Sequence, residues 1–244
     1  MGSLFKLEIV MQENLPVVHL ISKPQNLLKT IYTACRTCYS ADFPINIYNS
    51  TDDEEKMLKL IEKVIGSGHY STIEHIQVSF AISNVSRACT HQLVRHRHMS
   101  FSQKSQRYVK EKGQFDFITP PTIAKNSQMQ QKYNEFMENV SKFYLELTEA
   151  GIPAEDARFV LPNAAASSMV ASLNLRELIH LANIRLCTRA QYEIRILVKK
   201  MCDELVAQEP WLKTYLVPKC ERLGYCDEDK CCGRKLPKSE VIKV

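Results

Sequence analysis

The sequence predicts an α/β protein of the α+β type: a modest central sheet, long helices segregated from it, and a single domain. Three observations carry this. Strand-like segments are few and short, helical periodicity is extensive, and no repeat, low-complexity tract or linker interrupts the chain. The 244 residues are 45% hydrophobic and 24% charged, an ordinary globular composition. At this length two domains are the alternative.

Residues 5–10 (FKLEIV) and 17–21 (VVHLI) read as strands. A helix follows, with Pro24 suited to its first turn and Leu27, Leu28, Ile31 and Ala34 at helical spacing. Residues 41–50 read as a turn. The run from Thr51 to Glu54 caps a second helix whose Met57, Leu60, Ile61, Val64 and Ile65 form an apolar face, stopped by Gly66 and Gly68. Residues 76–82 alternate in hydrophobicity as a half-covered strand does. Ser86 then caps a helix expected to run to about Arg97. From Asn126 to Ala150 a long amphipathic helix carries Met129, Tyr133, Phe136, Met137, Val140, Phe143, Tyr144 and Leu147, a stripe suited to core or subunit contact. Pro153 opens a short helix, 164–173 reads as a strand, and Asn174 with Glu177 forms a capping box for the next helix. Arg189 to Ala207 reads as a further helix. The catalytic domain is expected over 1–217, with 218–244 a polar, Cys-rich tail.

A formal charge of +5 is too mild to imply a nucleic-acid coat, but favours an anionic ligand where the charges cluster. No apolar run approaches the roughly 20 residues of a membrane span, and no leader is recognisable, so a cytoplasmic protein is expected. Nine cysteines in a chain of this kind suggest reduced thiols.

The charge clusters from His91 to Arg97 (HQLVRHR), and hydroxyls, amides and a guanidinium follow from Ser100 to Arg107. On a continuous helix Arg87, His91 and Arg95 share one face and Arg97 lies on another, an arrangement for two anions. A solvated helix end followed by a polar loop is the plainer alternative. A second polar stripe, Arg176, His180 and Asn183, extends to Arg185 and Arg189. It contains no lysine, which suits oriented hydrogen bonding better than solvation, though a wet helix face fits as well.

His69 to His75 holds two histidines and a carboxylate without metal-site spacing, so no metal is assigned. Cys35 and Cys38 fall late in a helical pattern, away from thioredoxin-like placement. Cys220, Cys226, Cys231 and Cys232, spaced C-x5-C-x4-C-C, do not form paired CxxC knuckles. Inert thiols are the expectation and a zinc or redox site the alternative.

The run Arg95-His96-Arg97, seven residues, then Ser105 resembles the RHR-x7-S signature of the flavin-dependent thymidylate synthases, and the likeness extends through Gln106-Arg107-Tyr108. Support comes from His69–His75, Ala157–Pro162, Asn174-Leu175-Arg176, Arg185 and Gln191, over roughly residues 15–215. The resemblance implies a homotetramer with active sites at subunit interfaces, converting dUMP to dTMP with FAD, methylenetetrahydrofolate as carbon donor and NADPH as reductant, and without a cysteine nucleophile.

By the same resemblance His69, Ser71, Arg95, His96, Arg97, Gln103, Asn174, Arg176 and His180 are the expected FAD contacts. Gln92, Arg95, Gln103, Lys104, Ser105, Gln106, Arg107, Arg158 and Arg185 are the expected dUMP site, with Arg185 the catalytic candidate because a cation beside the uracil stabilises its anionic form. Ser105 has no assigned base and is read as a substrate contact. Two positions depart from the family pattern: Ser102-Gln103 replaces Asn-Glu, removing a carboxylate, and His180 stands where some relatives have Asn. The competing class is a nucleic-acid binder using Arg87–Arg107, marked by salt-dependent binding without flavin.

Overall fold

The computed structural model describes residues 15–51 and 53–242. The strand expected at 5–10 lies outside them. Four antiparallel strands form one sheet in the order β1-β2-β4-β3: β1 Val17–Ser22, β2 Gln77–Ser86, β3 Met99–Gln103 and β4 Ala166–Asn174. β2 and β4 are central, with Phe80 opposite Ala171 and Gln77 opposite Asn174.

Alternation decides the two faces. Val78, Phe80 and Ile82 of β2 and Met169, Ala171 and Leu173 of β4 point into the main core. On the opposite face Ser79 and Ser172 share a hydrogen bond at 2.7 Å. A bulge between Ile82 and Val85 accommodates Asn84 at φ 57, a left-handed conformation that asparagine tolerates.

Helices supply the rest of the core: α1 Leu27–Thr37, α2 Pro44–Asn49, α3 Glu54–Gly66, α4 Arg87–Leu93, α5 Pro121–Ala124, α6 Ser127–Glu149, α7 Ala154–Ala157, α8 Leu175–Arg185, α9 Tyr192–Gln208, α10 Lys219–Leu223 and α11 Lys238–Val241. α9 packs against β1 and α8, while α1 packs against α3. Ile194, Leu197, Val198, Met201 and Leu205 of α9 are fully enclosed, each stabilising the fold by about 1.5–3 kcal/mol.

The caps at Asp53, Ser86 and Asn174 form as expected, and Asn126 adds one that the sequence reading did not name, each side chain accepting the backbone N–H three residues on. Several boundaries differ. α1 begins at Leu27, leaving Pro24 outside it, and the expected turn at 41–50 contains α2, with Pro44 in its first position. α4 ends at Leu93, four residues short of Arg97, because the chain turns there with His96 N–H donating to the Leu93 carbonyl. α9 starts at Tyr192, capped by the Gln191 side chain.

The α6 stripe divides. Met137, Ser141 and Tyr144 are buried, whereas Met129, Phe136 and Phe143, seven residues apart, are exposed. Residues 218–242 fold back on the end of α8 through Arg222 to Asn183 (3.4 Å), Arg234 to the Leu186 carbonyl (3.4 Å) and the Arg189–Glu228 ion pair (2.9 Å). Among the described residues no helix is long and apolar enough to cross a membrane.

Candidate active site

Two polar clusters flank the sheet, and each is built by a short element ending at a defined place. The first lies where the turn after α4 meets α8. His96 is 8% exposed, and its Nε2 accepts a hydrogen bond from Arg185 Nε at 3.1 Å. Its Nδ1 lies 3.5 Å from Glu177 Oε1. This assigns the neutral tautomer, with the proton on Nδ1 facing the carboxylate. Burial, then the positive field of Arg185, then His180 hold the imidazole down to about 4, so it is uncharged at neutral pH.

The His180 ring stands edge-on to His96, with centroids 6.3 Å apart. Beside the pair opens a cavity of about 450 Å³ lined by Glu74, His98, Asn174, Arg176, Glu177 and His180. Arg176 reaches Glu74 at 2.5 Å across an exposed rim. Thus the structure brings Asn174, Arg176, His180 and His96 together, as the resemblance expects. It adds Glu74, His98 and Glu177, which were assigned no role: Glu177 reads in sequence only as the carboxylate of a capping box.

The remaining expected flavin contacts are dispersed. His69 is exposed at the entry to a 3-10 turn, and Ser71 lines a different hollow of about 440 Å³ with Thr30, Thr33, Thr72 and His75. Arg95 and Arg97 are exposed in the turn after α4. Arg95 does not share a helix face with Arg87 and His91, because the helix has already ended.

The second cluster follows β3, an edge strand that the Ser-Phe-Ser-Gln sequence disguised as a polar loop. Gln103 donates to Ser167 Oγ at 3.0 Å, fixing the strand end against β4. Lys104 pairs with Glu111 at 2.7 Å, and the Ser105 hydroxyl accepts the Arg107 backbone N–H at 3.2 Å. Arg107 pairs with Glu155 at 2.8 Å, and Arg158 Nε donates to the Glu155 carbonyl at 3.1 Å. Gln92 donates to the Ala88 carbonyl within α4 at 3.3 Å.

Arg87, which the motif reading left without a role, donates to Gln106 at 2.9 Å. Burial and then the charge of Arg158 hold its pKa below the usual arginine value. Three guanidiniums therefore lie in this cluster with a carboxylate partner for Arg107 alone, a field that a phosphate relieves by accepting from several forks at once. Gln103 through Arg107 and Arg158 are brought to this cluster; Arg185 belongs to the first.

The two clusters are tied through the core. Glu193, 2% exposed, accepts from the Ser86 backbone N–H at 2.6 Å and from its hydroxyl at 2.5 Å. Ser86 in turn accepts from Cys89 N–H at 3.0 Å, so one buried carboxylate fixes the start of α4. Burial and Glu193 push the Cys89 thiol well up, leaving it protonated and inert.

His96, Glu177 and His180 place ligand atoms within 4.8 Å of one another. The Arg185 guanidinium already occupies His96 Nε2, and its charge disfavours a cation there. The donor set instead fits an anionic, ring-bearing group: cationic and amide donors around a cavity walled by imidazoles.

A family model described as thymidylate synthase complementing protein matches residues 19–211. A flavin-dependent thymidylate synthase of Nitratidesulfovibrio vulgaris is 43% identical over 236 residues, covering 90% of this chain and 95% of that protein. One of Pyrococcus abyssi is 38% identical, covering 86% and 89%. A crystal structure of the UMP/dUMP methylase PolB from Streptomyces cacaoi bound with 5-Br dUMP superposes with TM-score 0.72 over 83% of this chain and 97% of that one. At 21% identity it shows the shared fold. The length and identity of these matches place the chain in the flavin-dependent thymidylate synthase family.

Proposed function

We propose that the protein converts dUMP to dTMP by reductive methylation, with methylenetetrahydrofolate as carbon donor and FAD, reduced by NADPH, as hydride source. The observation that carries this reading is the pairing of a guanidinium, Arg185, with a neutral buried imidazole, His96, beside a cavity large enough for stacked rings. A neutral His96 accepts from Arg185 without cancelling its charge, so Arg185 is both oriented and fully cationic.

Uracil C5 becomes nucleophilic when electron density moves into the ring. Arg185 placed against N3 or a ring carbonyl stabilises that anionic form where it develops. Arg87, Arg107 and Arg158, with the neutral donors Gln106 and Ser105, hold the phosphate at the other end. Glu155 then exchanges its arginine partner for solvent. Asn174, Arg176, His96 and His180 hold the flavin, joined by His69, Ser71, Arg95, Arg97 and Gln103. When bound, the flavin supplies the hydride that completes the methyl group.

The assembly we propose is a homotetramer, supported by the exposed Met129, Phe136 and Phe143 along α6. The dispersed flavin residues are then completed by neighbouring chains. Residues 1–217 form the catalytic domain and 218–244 an appended tail. The test is dTMP formation by the purified full chain supplied with dUMP, methylenetetrahydrofolate, NADPH and FAD. We expect product that requires all four, and flavin-loaded, folded protein that makes none overturns the reading.

A further inference from the structure

The cysteines give a result that their spacing in the tail does not. Cys187, in the turn after α8 and far from the tail in sequence, joins Cys220, Cys226 and Cys232 around one small cavity of about 20 Å³. That volume holds a single atom-sized occupant. Asn183, Arg189, Pro218, Lys219, Asp227, Glu228 and Lys230 complete the wall. No disulfide joins any of these sulfurs.

The lining thiols come from two segments, the turn after α8 and the tail. Cys226 is held by backbone bonds to both sides of the loop: its N–H donates to the Leu236 carbonyl and its carbonyl accepts from Lys238 N–H, each at 2.8 Å. Cys231 donates to the Lys235 carbonyl at 3.0 Å and receives the Gly233 backbone N–H at 3.3 Å. Gly233 at φ +85 makes that turn possible. Cys232 follows at an exposed position and reaches the same cavity wall as Cys187.

We propose that this cluster binds one thiophilic divalent cation, with Zn²⁺ its representative, through Cys187, Cys220, Cys226 and Cys232. Among the described residues no three of these sulfurs lie within 4.8 Å of one another. Binding therefore requires χ1 rotation to bring four sulfurs to ~2.3 Å from the ion. Each ligating thiol gives up its proton, so a full site releases four. Lys219, Lys230 and Arg189 at the wall offset the negative charge that results. Such a site would fasten the tail to the end of α8, where Arg185 stands, without touching the reacting groups.

The test uses the full chain, reduced and stripped of metal, titrated with Zn²⁺ under native mass spectrometry and with Co²⁺ under visible spectroscopy. We expect one ion per chain, intense sulfur-to-cobalt charge-transfer bands, and protection of thiols from alkylation. Cys232→Ser, at an exposed position, should weaken binding at least about tenfold. Cys187→Ser should do the same, and Cys38→Ser, outside the cluster, should bind normally. The proposal is overturned if no ion binds, if both cluster variants bind as tightly as the parent, or if cobalt binds without sulfur bands. A Cys226–Cys231 disulfide that forms in air in place of metal retention also overturns it. None of these readouts depends on dTMP formation.

Discussion

The His96 cluster and the Arg158 cluster use the same guanidinium chemistry in opposite states. Around His96 the central imidazole and Glu177 are buried, Arg185 is half-buried, and the three are organised before any ligand arrives. Arg185, His96 and Glu177 form a chain in which each member fixes the next. Around Arg158 the guanidiniums are half-buried or exposed, and each has its own neighbour: Arg107 the exposed Glu155 carboxylate, Arg158 the Glu155 backbone carbonyl and Arg87 the Gln106 amide. The first arrangement suits a group that acts on developing charge, since reorganisation during reaction is avoided. The second suits capture of an anion brought from solution, where relieved repulsion adds to attraction.

The largest effect should come from the organised cluster. Arg185→Ala should cut dTMP formation by roughly 10²–10³-fold while flavin stays bound. Near-normal turnover would remove Arg185 from its role. Arg185→Lys should recover little, since a point charge cannot keep the Nε bond to His96. Next, Glu193→Ala leaves the Ser86 N–H unpaired in the core, and chemical denaturation should show a loss of about 2–4 kcal/mol. A loss under 0.5 kcal/mol would show that Glu193 does not anchor α4.

The anion cluster should respond in binding rather than stability. Arg158→Ala should raise the KM for dUMP by about tenfold or more and flatten its salt dependence. A fall in kcat at unchanged KM would contradict that assignment.

The smallest effect sharpens the contrast in charge state. His96 titrates near 4 when folded and near 6.5 when unfolded. Below pH 6.5 the unfolded chain binds the extra proton, so stability falls as pH drops from about 6.5 to about 4 and is constant above that window. The contribution is on the order of 1–3 kcal/mol. His96→Gln should flatten this segment of the pH–stability curve. An unchanged slope would mean that His96 is not the group responsible.

Sequence carried much of the frame. The caps at Asp53, Ser86 and Asn174 and the alternation in β2 are local signals, and they formed where expected. β3 was illegible because an edge strand with a wet face uses the same serines and glutamine as a loop. The end of α4 was illegible because no glycine or proline marks it; the turn depends on burying His96 against α8, a long-range contact.

The site was legible in part for the same reason. Its arginines announced themselves by density, but Glu177 and Glu193 look like ordinary helix-start carboxylates until the fold brings His96 and Ser86 to them. Cys187 likewise has no sequence tie to Cys220, Cys226 and Cys232.

Both clusters belong to one active site if a ligand in one is felt in the other. The direct measurement is the visible spectrum of the FAD-loaded, desalted protein during titration with dUMP, repeated with Arg158→Ala. The account predicts retained flavin, a dUMP-dependent shift of its bands, and a titration displaced to higher dUMP in the variant. Retained flavin whose spectrum ignores dUMP, or a variant that titrates like the parent, would contradict it.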